Sequence, residues 1–131
     1  MKRRKSSSPK PTEVELKILH VLWTLRAATV REVHNALADE HGKRYSTTLK
    51  MLQVMQAKGL VLRDDSKRPQ VYRAANSQRV TQKQLVNDLV LRAFSGAAGK
   101  LLVQALSSHR VSAEEMAEIK QLIERLEKES S

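Results

Sequence analysis

Residues 45–74 constrain this chain most. The stretch YSTTLKMLQVMQAKG opens with hydroxyls, repeats apolar residues at helical spacing and stops at Gly59. LVLRDDSKRPQVYRA follows at once and reads as two short strands around a turn holding Lys67 and Arg68. At about 100° per residue, Thr48, Leu49, Leu52 and Met55 share one face of the expected helix. Ser46, Thr47, Lys50, Gln53, Val54 and Ala57 share the opposite face, which carries no acid. A short rod followed directly by a cationic flap leaves room for few architectures.

The residues upstream supply two more helices. Thr12 and Glu15 fit a capping box, in which the hydroxyl and the carboxylate each satisfy an orphan backbone N–H. The run behind them repeats apolar residues at Leu16, Leu19, Leu22 and Trp23, with Ile18 and Leu25 flanking, which is a wide buried helical face. Ala27 and Ala28 break that pattern and predict a very short strand. Thr29 and Glu32 form a second box and open VREVHNALADEHG. Its Val30, Val33 and Leu37 are expected to face inward, and Gly42 is a natural C-cap. Three helices and a hairpin, with cationic charge on the last two elements, predict a winged helix-turn-helix.

Beyond Ala75 the character changes. A helix is expected over 80–94, interrupted by SGAAG and resumed in KLLVQALSSH. A third capping box, Ser112 with Glu115, opens the last helix. There Met116, Ile119, Ile123 and Leu126 recur at spacings of 3, 4 and 3, a short heptad seam. The upstream core is already filled, so the expected partner of this seam is a second copy of the chain. Phe94, Leu101, Leu102 and Leu106 are expected to join it. The fold class is therefore mainly α with a small β-hairpin. Residues 1–11 form a disordered basic tail, 12–76 a winged-helix domain and 77–131 a helical dimerisation module.

Charge sharpens the division. Residues 1–80 hold 17 Lys and Arg against 7 Asp and Glu, whereas residues 81–131 hold 7 of each. The whole surplus of +10 lies in the first 80 residues, as expected of a polyanion-binding module joined to a neutral assembly module. The tail MKRRKSSSPKP has no apolar residue after Met1 and contributes half of that surplus. It serves either to lie along DNA or to keep the protein soluble.

Several classes fall away. The chain contains no cysteine, which removes disulfides, thiolate catalysis and cysteine metal sites, and makes a cytoplasmic address the expectation. The basic start runs into SSSPKP, unlike a signal peptide. No apolar run approaches the roughly 18 residues that cross a bilayer, so membrane insertion is not expected. His34 and His41 stand seven apart, but two histidines make a poor site, so no metal or cofactor is expected. No nucleophile has a base at motif spacing and no glycine-rich phosphate loop occurs. Glu114 and Glu115 read as first-turn helix acids, so an enzyme is not expected.

The major groove of B-DNA admits one helix, and amide, hydroxyl and cationic side chains read base edges there. Lys50 and Gln53 have the residue types and reach for bases, and Val54 has methyls that can meet a thymine methyl. Ser46 and Thr47 suit phosphates, through hydroxyls and helix-start N–H groups. Arg63, Lys67, Arg68 and Arg73 on the hairpin suit phosphates or the minor groove.

At these residues the chain resembles the penicillinase repressor (BlaI/MecI-type) family of bacterial winged-helix regulators. The pieces that carry the resemblance are PTEVELKILHVLW, TVREVHNAL, YSTTLKMLQVMQAKGLV, FSGAAGKLLVQAL and VSAEEMAEIKQLIERL. The resemblance implies a homodimeric repressor of transcription that places its third helices on a palindromic double-stranded operator. It further implies a sensor peptidase that cuts some members within the dimerisation segment. Here Gln104-Ala105 stands where the family's usual Asn-Phe would be cut, so that cleavage is not expected. Copper-responsive relatives carry a cysteine-rich site that this chain lacks. Val54 replaces a usual Arg and Lys50 a frequent Thr, so the operator need not match those of relatives. The competing reading is a sequence-neutral architectural nucleic-acid-binding protein, and a third is a dimerising adaptor whose basic half is incidental.

Overall fold

The computed structural model describes residues 10–41 and 44–130, with side chains for all of these except 38–41. Residues 1–9 of the tail expected over 1–11, and the Gly42 cap, lie outside the described residues. The elements run α1 (Glu13–Leu25), β1 (Ala28–Thr29), α2 (Val30–His41), α3 (Tyr45–Ala57), β2 (Val61–Asp64), β3 (Val71–Ala74), α4 (Gln78–Ala93), α5 (Ala98–Ser108) and α6 (Ala113–Ser130). They form two compact units, and the boundary falls inside α4 between Leu85 and Val86. The architecture is a winged helix with a C-terminal helical module.

Each of the three capping boxes forms. Thr12 Oγ1 accepts from the Glu15 N–H, and Glu15 Oε1 accepts from the Thr12 N–H at 2.9 Å. The reciprocal pairs are present for Thr29 with Glu32 and for Ser112 with Glu115. Each box satisfies two backbone donors that a helix start leaves orphaned.

The first unit has a dense apolar core. Ile18, Leu19 and Leu22 of α1 meet Val33 and Leu37 of α2, Leu52 and Met55 of α3, and Val61 and Tyr72 of the sheet. Ile18, expected only to flank the α1 face, lies at its buried centre, whereas Leu25 is 47% exposed. The reason is local: Leu25 is the last residue of α1, and Arg26 then takes φ 72 and turns the chain away. Trp23 is half-buried, and its indole N–H donates to the Asn76 carbonyl at 2.9 Å, tying the end of α1 to the segment after β3.

The third helix ends as its glycine requires. Gly59 has φ +82, its N–H donates to the Gln56 carbonyl and the Leu60 N–H to the Met55 carbonyl. This is a Schellman motif, and Leu60 and Met55 are both buried in the same core cluster. It delivers the chain straight into β2. The sheet is antiparallel in the order β1-β3-β2, with Ala28 opposite Tyr72 and Arg63 opposite Tyr72 on the other edge. The short strand β1 covers one edge of β3 and leaves β2 at the other.

The helix α4 begins at Gln78, in the first unit and two residues before the expected start, and ends at Ala93, in the second unit and one residue before the expected limit. Ser95 and Gly96 both take positive φ at the break. No residue of α5 or α6 is buried within the single chain. Leu122, Ile123 and Leu126 are each more than 40% exposed. Among the described residues no single helix is long and apolar enough to cross a membrane.

Candidate nucleic-acid interface

The two faces of α3 separate as its periodicity dictates. Thr48, Leu52 and Met55 are buried, while Ser46, Thr47, Lys50, Gln53, Val54 and Ala57 are exposed. The outer face presents two hydroxyls, an ammonium, an amide and the methyls of Val54, with no acid in the first turn. Among the described residues no side chain caps α3 at Arg44. Its N-terminal N–H groups thus keep the positive end of the helix available for an anion.

The start of α3 is held by aromatic contacts from α2. The Arg31 guanidinium lies 4.5 Å from the Tyr45 ring centroid. The His34 ring meets the same ring edge-on at 5.8 Å. His34 Nδ1 is also within hydrogen-bonding distance, 3.1 Å, of the Thr48 hydroxyl. Arg31, His34 and Tyr45 fix how α3 emerges from α2, a role the sequence pattern did not single out for them. A cation at α2 and an aromatic residue fourteen positions later is too weak a signal to find without the fold.

The far end of α3 is held by charge. Lys58 Nζ donates to both oxygens of Glu15 at 2.8 Å. Burial pushes the Glu15 carboxyl up, but Lys58 and Thr12 outweigh it and hold the group below the usual range. Beside this clamp a shallow groove of about 440 Å³ separates the first turn of α1 from the outer face of α3. Thr12 and Glu15 form one wall, and Ser46, Thr47, Lys50 and Val54 the other, with Met51 between.

The flap divides its cations into two kinds. Lys67 and Arg68 are exposed in the turn between β2 and β3, and Arg73 is exposed on β3. Arg63 is different: its Nε lies 2.6 Å from Asp65 Oδ1 and its second nitrogen donates to Oδ2 at 3.3 Å. Asp65, with a smaller contribution from Tyr72, holds the Arg63 guanidinium above its ordinary value. Asp64 accepts from the Ser66 N–H and hydroxyl, which lower its carboxyl below the usual range. These acids fix the turn that presents Lys67 and Arg68. The expected site residues of the first unit therefore lie on two exposed elements, α3 and the β2–β3 flap, joined through the Gly59 turn.

His34 pairs its Nδ1 with the Thr48 hydroxyl and packs its ring edge-on against Tyr45. The side chain of His41 lies outside the described residues. Among the described residues no three His, Asp or Glu side chains gather as metal ligands do.

No curated protein matches the chain. The sequence pattern of the penicillinase repressor family matches residues 11–125, from the residue before the first cap to one residue short of Leu126, the last of the heptad seam. The chain belongs to the penicillinase repressor family of DNA-binding transcriptional repressors.

Proposed function

We propose that the protein represses transcription as a homodimer bound to a palindromic operator. The observation that carries this reading is the acid-free outer face of α3, set directly beside a flap whose turn exposes Lys67 and Arg68. Lys50, Gln53 and Val54 meet base edges in the major groove. Ser46, Thr47, Lys67, Arg68 and Arg73 meet phosphates and set the register. The C-terminal module supplies the two-fold axis through Phe94, Leu101, Leu102, Leu106, Met116, Ile119, Ile123 and Leu126. Two weak modules on one palindrome gain affinity by avidity without any new kind of contact. Gln104 and Ala105, both exposed on α5, stand where the family's usual Asn-Phe would be cut, so cleavage there by the same kind of sensor peptidase is not expected.

Selection of bound duplexes from random DNA tests the reading. A repressor enriches one two-fold sequence and prefers it by roughly a thousandfold or more over scrambled DNA at physiological salt. A sequence-neutral binder enriches none, and its affinity falls by orders of magnitude with salt on every duplex alike.

A further inference from the structure

A second groove lies at the opposite end of α1 from the one beside α3. Its volume is about 340 Å³, and it is bordered by the last turn of α1, the end of β3 and the segment that opens α4. Thr12 and Arg26 flank the 13 residues of α1, so the walls they form stand about 20 Å apart along that helix. Every residue of the second groove belongs to the first unit. Arg26 and Arg73 both line it, together with Asn76, Ser77 and the half-buried Trp23. Among the described residues no carboxylate lines it, and the first turn of α4 holds no acid. Among the described residues neither guanidinium is in an ion pair. Arg73 helps to lower the Asp64 carboxyl through space, but that carboxyl is hydrogen-bonded to Ser66. Ser77 Oγ accepts from the Val80 N–H at 3.2 Å, which leaves its own proton to be donated.

We propose that this groove is a seat for a phosphate group. A guanidinium gives paired N–H donors to phosphate oxygens, and here two of them share one groove. The Ser77 hydroxyl and the Asn76 amide add neutral donors. Two like charges in one groove repel each other until an anion joins them, so the arrangement favours an occupant. Arg26 also holds φ 72, a conformation costly to any residue with a Cβ and free to glycine. The chain thus carries a guanidinium where glycine would fit the backbone better. The phosphate belongs either to the operator backbone, a source that rests on the operator-binding reading above, or to a free phosphorylated molecule. The chemistry of the seat is the same for both.

Trp23 is the chain's one tryptophan and lines the groove, so its emission reports occupancy. The first probe is inorganic phosphate, titrated into the full chain at constant ionic strength against chloride. A saturable change in Trp23 emission is expected, and Arg26→Gly should raise the dissociation constant at least about tenfold. Glycine suits φ 72, so the urea midpoint of this variant should equal or exceed the parent's, which separates loss of the seat from loss of the fold. Arg73→Gln leaves the Arg26 turn untouched and should weaken phosphate in the same way. The second arm measures the salt dependence of binding to the tightest duplex recovered by selection from random DNA. A slope flattened by about 0.9 per protomer in Arg26→Gly assigns the seat to a backbone phosphate. An unchanged slope, with phosphate binding lost in the variant, assigns it to a free ligand. Equal slopes for parent and variant, with phosphate binding to neither or equally to both, overturn the seat. A parent that prefers no duplex overturns the operator reading instead, and the phosphate titration alone then decides the seat.

Discussion

Lys58 grips both carboxylate oxygens of Glu15 at 2.8 Å, and so the residue that closes α3 is fastened to the first turn of α1. The same carboxylate completes the Thr12 capping box. One side chain thus sets the start of α1 and the end of the helix that carries the candidate reading face.

Replacing Lys58 with Met keeps the stem and removes the charge. Glu15 is then left buried with only its cap. The expected cost is about 1–3 kcal/mol, below the roughly 3–5 of a fully buried pair, because 29% of the Lys58 side chain is exposed. Glu15 titrates below its usual range in the folded protein. The pair's stability is therefore full above the ordinary glutamate pKa and is lost as pH falls through the lowered one. Urea midpoints should show the largest deficit of the variant near neutral pH and a shrinking one in acid. A deficit that is constant across this range contradicts the assignment.

The Thr29–Glu32 box isolates the worth of a single cap. It is exposed, it shares no residue with the Lys58–Glu15 pair, and its two hydrogen bonds measure 2.8 and 3.1 Å. Thr29→Ala should lower stability by about 1 kcal/mol, and Thr29→Ser should restore most of it. Denaturant unfolding of both variants reads the difference.

How much of this was legible beforehand follows the range of each interaction. The capping boxes join residues three apart, the inner and outer faces of α3 follow from 3.6 residues per turn, and Gly59 marks its own turn. All of these were visible in the sequence. The Lys58–Glu15 clamp joins residues 43 apart, and Trp23 reaches Asn76 across 53, so neither leaves a local pattern. The pairing of Arg63 with Asp65, only two residues apart, is hidden for a different reason: two adjacent acids in a turn read only as turn residues. Spacing alone puts Ile18 at the edge of its stripe, because it does not show which way the neighbouring helices lean.

Tyr45, between Arg31 and His34, is expected to matter more for DNA than for folding. Tyr45→Ala removes both ring contacts and should cost about 1–2 kcal/mol of stability. It also frees the N-terminal turn of α3, so affinity should fall on every duplex. Tyr45→Phe keeps the ring and should leave both properties close to those of the parent. Fluorescence anisotropy titrations and unfolding curves on the two variants distinguish positioning from direct contact.

The flap and the helix face are expected to answer differently. Gln53→Ala should relax preference at one position of each half-site, at about 1–3 kcal/mol. Lys67→Ala should weaken binding to all duplexes and flatten the salt slope by about one. Arg63→Ala should flatten it less than Lys67→Ala, because Asp65 already holds that guanidinium. Equal slopes for the Arg63 and Lys67 variants would mean that Asp65 gives up its partner on binding.

The last helix offers the sharpest test of assembly. Along α6, Met116 and Ile119 are half-buried within the single chain, while Ile123 and Leu126 stand 42% and 50% exposed. A two-chain seam would cover this stripe, and a carboxylate placed in it would have to be buried without a partner. Ile123→Asp is therefore expected to yield a monomer by sedimentation. The core around Leu22, Leu52 and Tyr72 belongs to the first unit, so its unfolding should be little changed. With avidity lost, affinity for the selected duplex should fall by about a hundredfold or more. A monomeric variant that binds as tightly as the parent would show that one reading helix suffices and that the two-fold operator is not the target.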